Sequence, residues 1–243
     1  MQQITWRMNI GLDLILSIVF FIFQVAFFDR LFTFSNDLAG WNQEFMYVIF
    51  FAYAIINFSS GAFFDSIEEF FRQVHHGKID GYLVRPVPIL STMILRWCNP
   101  IKAILAVIIG IVGHNIYLLN LSPSLGKIIL FWFAIALSVA ANIGFFLILH
   151  LPTFMLGRAP PADYIQSEIR QMSMLPIGIL PQKAIALTLT LLPISCGASV
   201  AGHAFRFGID FVMGLFALGV SALVMLTFFL SRISLRRWDS FGG

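Results

Sequence analysis

The chain has 243 residues, of which 59% are hydrophobic and only 11% are charged, whereas about 25% of an ordinary soluble domain is charged. This composition excludes a soluble globular domain, a disordered chain, a collagen and a coiled coil, and it predicts an α-helical membrane protein with several spans. The net charge of +3 does not indicate a nucleic-acid partner. Two cysteines, Cys98 and Cys196, are too few for a disulfide framework, and we expect both to be free thiols.

Apolar windows with no charges, or with charges only near their ends, mark the expected membrane spans, because a hydrocarbon core of about 30 Å requires roughly 20 helical residues. We expect six spans in one all-α transmembrane domain that covers residues 1–243. The windows lie at about residues 10–32, 45–64, 100–119, 128–150, 182–201 and 211–231. The first window lacks a small-residue cleavage site after it, so we interpret it as a retained anchor.

The fifth span is expected to be broken or re-entrant. Pro176, Pro181 and Pro193 interrupt its approach and its middle. Proline removes an intrahelical hydrogen bond and kinks or ends a helix. We therefore expect helix ends or kinks at these three residues, on the outward side of the membrane centre.

The distribution of basic residues predicts the orientation, because cytoplasmic loops are enriched in Lys and Arg. With both termini in the cytoplasm, the outer segments hold only Arg30, Lys127 and Arg206, and Lys183 is assigned to neither side. The cytoplasmic segments then hold Arg7, Arg72, Lys78, Arg85, Arg96, Lys102, Arg158, Arg170, Arg232, Arg236 and Arg237.

The segment after the second span predicts a short amphipathic helix over residues 66–76. Ser66 and Glu69 have the spacing of a capping box, and Gly77 is suited to end the helix. Apolar residues recur at helical spacing on one side, and polar residues occupy the other. The pattern fits either an interfacial helix that covers the bundle or a docking surface for a soluble partner.

Three segments resemble bacterial permeases of the ABC-2 exporter family, in a branch with six spans. The stretch from His76 to Pro86 resembles the family segment I-x-x-G-x-L-D-x-x-L-x-(R/K)-P, with Ile79 where leucine is common. The stretch from Gly40 to Glu44 resembles a G-W-x-x-x-E motif, and Leu235–Ser240 resembles an R-Y-x-S ending. Family members usually carry a longer amphipathic helix before the first span, where only residues 1–8 are available in this sequence.

The resemblance implies a type V-like permease of an ATP-driven exporter in a bacterial cytoplasmic membrane. It implies a second permease chain, identical or related, and two copies of a separate ATPase subunit that binds ATP and magnesium. The segment 157–170 is expected to add a second contact to that subunit. The expected docking residues on and after the coupling helix are Glu68, Glu69, Arg72, Gln73, His76, Gly77, Lys78, Asp80 and Arg85.

No catalytic, metal or cofactor site is expected in this chain, since no Walker A, His-Glu-x-x-His or cysteine-cluster motif occurs. Tyr53, Asn57 and Phe58 are the expected lining of a substrate path, which suits a hydrophobic or amphipathic cargo. Single polar residues in the spans either form interhelical hydrogen bonds or line that path. They are His114, Asn115, His150 and Asn57.

The alternative function is a membrane scaffold that recruits a cytoplasmic partner through residues 66–76 and transports nothing. A membrane-embedded enzyme has less support, because no catalytic constellation occurs in the sequence. A neighbouring gene for an ATPase with a Walker A motif would favour the permease over both.

Overall fold

The computed structural model describes residues 25–35, 37, 40–76, 88–118, 121–156 and 161–236, with the isolated positions 15, 19, 22 and 23. Helices account for most of these residues. They are α1 at residues 25–34, α2 (Gln43–His75), α3 (Ile89–Leu95), α4 (Pro100–Gly113), α5 (Leu125–His150), α6 (Thr153–Leu156), α7 (Ala162–Gln171), α8 (Gln182–Leu191), α9 (Gly197–Phe207) and α10 (Phe211–Arg236).

Three of the described helices, α2, α5 and α10, are long and apolar enough to cross a membrane. Helices α3 and α4 meet at a bend of 69° and would supply a fourth crossing if they count as one span. The first expected span lies mostly outside the described residues. The fifth consists of helices that are each too short to cross. Within the described ranges, length and composition therefore support three or four crossings, and the expected six are not confirmed.

The fifth element is broken at its prolines, and this prediction is confirmed. Pro176 precedes a 3₁₀ turn, Pro181 immediately precedes α8, and Pro193 begins a second 3₁₀ turn. Helix α9 then starts at Gly197 and continues past the predicted limit of the span. The interruption follows from the missing proline N–H, which cannot extend the hydrogen-bond ladder.

The predicted separate helix over residues 66–76 is wrong, because these residues form the last turns of α2. The helix begins after Asn42, whose side chain accepts a hydrogen bond from the Phe45 amide, and it runs for 33 residues. Ser66 is fully buried and accepts a 3.0 Å hydrogen bond from the Trp97 backbone N–H. A capping box is a local pattern, and here a tertiary contact uses its serine instead.

The corner between α3 and α4 is fixed to α2 by Asn99. The Asn99 backbone N–H donates to the Ala62 carbonyl at 2.8 Å, and its side-chain amide donates to Asp65 at 2.7 Å. Its side-chain oxygen caps the start of α4. Lys102 adds an ion pair with Asp65 at 2.9 Å. The 69° bend is therefore held by hydrogen bonds to the neighbouring helix.

At the opposite end of α2, Arg206 joins three elements. Its guanidinium donates to the Gly40 carbonyl at 2.6 Å and lies 5.2 Å from the centre of the Trp41 ring. Its backbone carbonyl accepts a 2.7 Å hydrogen bond from Lys127 Nζ at the start of α5. Gly40 has a φ of +80°, which a side chain would strain. The end of α9 is thus bound to the starts of α2 and α5.

Helices α8 and α10 approach each other so closely that Gly219 has no room for a side chain. A Cβ atom there would lie 2.1 Å from the Leu189 carbonyl oxygen and 2.9 Å from the Thr190 Cα. Both obstacles are backbone atoms, which cannot rotate away. Small residues at such contacts let membrane helices pack backbone to backbone.

We expect G219A to destabilise the protein by ~1–3 kcal/mol, because the new methyl group forces the two helices apart. The measurement is thermal unfolding of the purified chain in detergent. The matched control is G214A on the same helix, where a Cβ meets nothing within 4 Å. It should keep or raise the melting temperature, since alanine favours a helix by up to about 1 kcal/mol over glycine. Equal melting temperatures of G219A and G214A would contradict the close approach of α8 and α10 at Gly219.

Candidate functional site

The last turns of α2 have one buried and one polar face, as the sequence pattern predicts. Ile67, Phe70, Phe71 and Val74 are all buried. The Phe71 ring packs against Phe154, with ring centres 5.1 Å apart. These apolar contacts anchor the end of α2 in the protein and leave its other face free to meet a partner.

On the polar face, Glu69 accepts hydrogen bonds from two neighbours on the same helix. Arg72 forms an ion pair with its carboxylate, and Gln73 Nε2 donates to it at 2.6 Å. Arg72 is well exposed, and His76 at the end of the helix is also exposed. The other expected docking residues, Gly77, Lys78, Asp80 and Arg85, lie outside the described residues.

A polar groove of about 630 Å³ separates the end of α2 from the α3–α4 corner, and we call it the corner groove. It is large enough to receive several side chains of a partner. Three of the expected docking residues therefore line one concave surface. Its lining residues are Asp65, Glu68, Glu69, Arg72, Trp97, Cys98, Asn99 and Pro100.

The pKa of the Glu68 carboxyl is raised above its ordinary value. Partial burial, the hydrogen-bonded carboxyl of Asp163 and the charge of Asp65 raise its pKa to about 8, and Lys102 opposes this rise. Two carboxylates at hydrogen-bond distance cannot both ionise without repulsion. The Glu68–Asp163 pair therefore binds a proton more tightly than a single carboxyl would, and Asp163 brings the start of α7 beside the corner groove.

Arg170 lies on helix α7 and packs against α2, so it is not part of an irregular loop. Its guanidinium carbon lies 5.6 Å from the centre of the Phe64 ring on α2, and its side chain also hydrogen-bonds with Tyr53 on the same helix. Tyr53 is 6% exposed and lies in the middle of the second predicted span. Helix α7 thus begins beside the corner groove and places the positive charge of Arg170 next to Tyr53 in the interior.

Beside Arg170 on α7, polar contacts join α7 to α5, and the start of α9 packs against the same residues. Gln166, one turn before Arg170 on α7, donates to Asn142 Oδ1 at 3.2 Å. Asn142 in turn donates to the Ser138 carbonyl at 2.8 Å. A Cβ on Gly197, the first residue of α9, would lie 2.7 Å from Ser138 Oγ, so the start of α9 touches this chain. We call these residues, with Tyr53, the interior polar cluster.

The three expected path residues divide between interior and surface. Tyr53 belongs to the interior polar cluster, whereas Asn57 and Phe58 are half-buried one turn further along α2. No contact of the described residues assigns a transport role to them, which stays a prediction. Gln166 and Arg170 were missed by sequence reasoning, although their four-residue spacing puts both on one face of a helix.

The remaining polar residues of the spans mostly bond within their own helices. The Asn115 side chain donates to the Ile111 carbonyl at 2.7 Å, and the His150 ring contacts the Phe146 carbonyl at 3.0 Å. Neither of these two bonds joins different helices, and the role of the two residues stays a prediction. His114 and Asn115 line an apolar groove of about 790 Å³ between α2, α4 and α5.

Long apolar helices, a broken fifth element and an amphipathic extension of a spanning helix define a helical membrane protein. The sequence matches the family described as ABC-2 family transporter protein over residues 3–242, which is nearly the whole chain. The chain therefore belongs to the ABC-2 transporter family. No curated protein and no solved structure matches it at a significant level.

The raised pKa of Glu68 predicts how stability depends on pH. Between its ordinary pKa of 4.5 and about 8, the folded protein keeps a proton that the unfolded chain releases. The free energy of unfolding should therefore fall as pH rises through this window and level off above it. E68Q cannot ionise and should show a smaller fall in melting temperature between pH 5 and pH 8.

The control for this experiment is E168Q, which removes an exposed carboxylate from α7. It should reproduce the pH profile of the wild type. Parallel profiles of the wild type and E68Q would contradict the shared proton between Glu68 and Asp163.

Proposed function

We propose that this chain is the permease subunit of an ATP-driven exporter in the cytoplasmic membrane. A separate ATPase, in two copies, supplies the energy, and a second permease chain, identical or related, completes the pathway. The cargo is a hydrophobic or amphipathic molecule that leaves the cytoplasm or the inner leaflet. Membership of the ABC-2 family over residues 3–242 is the observation that carries this proposal.

The continuity of α2 supports a mechanism for coupling. Glu69 on the polar face and Tyr53 in the interior polar cluster belong to the same unbroken helix, ~24 Å apart along its axis. A helix without a break transmits a displacement of one end to the other. Closure of the ATPase dimer against the corner groove would therefore shift the residues around Tyr53 directly.

The contact of α2 with the broken fifth element supports a path between them. Helix α9 packs against both α2 and α5, and a Cβ on Gly202 of α9 would lie 2.5 Å from Ile49 Cγ1 of α2. Half-length helices that meet inside the membrane frame substrate sites in other transporters. Movement of α2 would open or close the space that Asn57 and Phe58 border.

The orientation is tested by labelling introduced cysteines. In a chain without Cys98 and Cys196, an impermeant thiol reagent applied from outside should label S124C, just before α5, and not H76C, at the end of α2. Both positions are exposed. The physical reason is the excess of basic residues on the side of His76, which stays at ten against three after Arg170 is removed from the count. Labelling of H76C alone would reverse the proposed orientation.

The docking surface is tested by exchanging the charges of Glu69 and Arg72. The variant E69R/R72E preserves the ion pair within α2 and inverts the charges that a partner meets. Each exposed pair is worth ~0–1 kcal/mol, so we expect a several-fold loss of ATPase in copurification rather than complete loss. F71D should remove docking altogether, because it puts a charge among the buried residues that anchor the helix.

The control is E44K, which reverses an exposed charge in the first turn of α2, at its other end. It should retain the ATPase at the wild-type level. If E69R/R72E and F71D also retained it, the docking surface would lie elsewhere. If the ATPase bound but no cargo moved in reconstituted vesicles, the scaffold function would replace the permease.

A further inference from the structure

The guanidinium of Arg170 is poorly compensated for a charge inside a membrane protein. Its Nε and Nη1 atoms are buried and have no hydrogen-bond partner among the described residues. Its contacts are the Tyr53 hydroxyl and the Phe64 ring, both uncharged. Within the same part of the chain, the carboxylates that form ion pairs do so with other residues. A cation in this position is costly unless a negative charge meets it.

We propose that Arg170 binds an anionic group, a phosphate or a carboxylate, at one end of the transported amphiphile. This inference rests on the proposed function, because it names the chemistry of the cargo. The guanidinium fork suits both groups, since it can donate two parallel hydrogen bonds to two oxygen atoms. Nε and Nη1, which lie on different edges of the guanidinium, are donors that the described residues leave unused, so each edge has a free N–H for an anion.

The start of α9 adds a second positive element to the same cluster. It touches Ser138, and no side chain caps its first turn. The N-terminus of a helix attracts anions, because its free N–H groups and its dipole point outward. Ser199 in that first turn is 1% exposed, and its hydroxyl has no partner among the described residues. An anion bound at the start of α9 would meet helix N–H groups and the Ser199 hydroxyl.

Arg170 contacts Tyr53, one of the residues expected to line the substrate path. Arg170 is only half-buried as a residue, although two of its nitrogen atoms are fully shielded. The half-buried Asn57 and Phe58 lie on α2 between Tyr53 and Phe64, the two residues that Arg170 contacts. Part of the Arg170 side chain is therefore exposed at the surface of the chain.

The test measures binding of dodecyl phosphate to the full-length chain, purified in neutral detergent without its ATPase. Labelled dodecyl phosphate should bind with an affinity ~10-fold higher than that of dodecyl maltoside, measured as a competitor for the same site. Inorganic phosphate should compete only weakly, because it lacks the tail. R170Q should weaken binding ~10-fold. R170K keeps the charge but loses the fork, and it should weaken binding ~3-fold. R232Q, which removes an exposed charge from α10, should bind within about twofold of the wild type.

Equal binding of dodecyl phosphate and dodecyl maltoside to the wild type would overturn the inference, as would losses of the same size in R232Q and R170Q. Competition by inorganic phosphate as strong as that of dodecyl phosphate would assign the site to a free anion instead of an amphiphile. If R170Q fails to fold, the inference is judged from the preference of the wild type for dodecyl phosphate over dodecyl maltoside and from the loss of binding in R170K. Because the assay needs no ATPase, binding without transport would contradict the proposed function, and transport without binding would contradict this inference alone.

Discussion

The arrangement of the helices depends on the need to satisfy every backbone polar group away from water. A helix that breaks inside a membrane exposes unpaired N–H and C=O groups, and lipid cannot bond to them. The break before α9 meets this constraint through burial in protein. Ile194 and Cys196 at the break are almost fully buried, and Gly197 lies directly against α5. Helices α2, α5 and α10 surround the fifth element for this reason.

The same constraint explains why polar side chains gather at the break. Ser138, Asn142 and Gln166 lie where α5, α7 and α9 meet, and all three are buried and hydrogen-bonded. Hydrogen bonds between membrane helices have modest strength, ~0.6 kcal/mol on average, so they orient the elements more than they hold them. A cation introduced into this setting gains a defined position, which a binding role requires.

Features that depend on local sequence were predicted well, and features that depend on tertiary contacts were not. The windows over 45–64, 128–150 and 211–231 coincide with long helices, because each needs only a run of apolar residues. The prolines of the fifth element act through their own backbone, so the break was predictable. The capping pattern at Ser66 failed because Trp97 competes for the serine. The place of Arg170 depends on how α7 packs, which no local pattern encodes.

The unbroken run of α2 also constrains how such a chain can change during evolution. Each residue inserted into a helix rotates everything beyond it by about 100°. An insertion between Tyr53 and Glu68 would turn the corner-groove residues away from the α3–α4 corner, or else turn Tyr53 away from Arg170. An insertion is therefore more disruptive than a conservative substitution, because it changes the angular position of every residue beyond it. The number of residues between Tyr53 and Glu68 thus determines how the corner groove is oriented relative to the interior polar cluster.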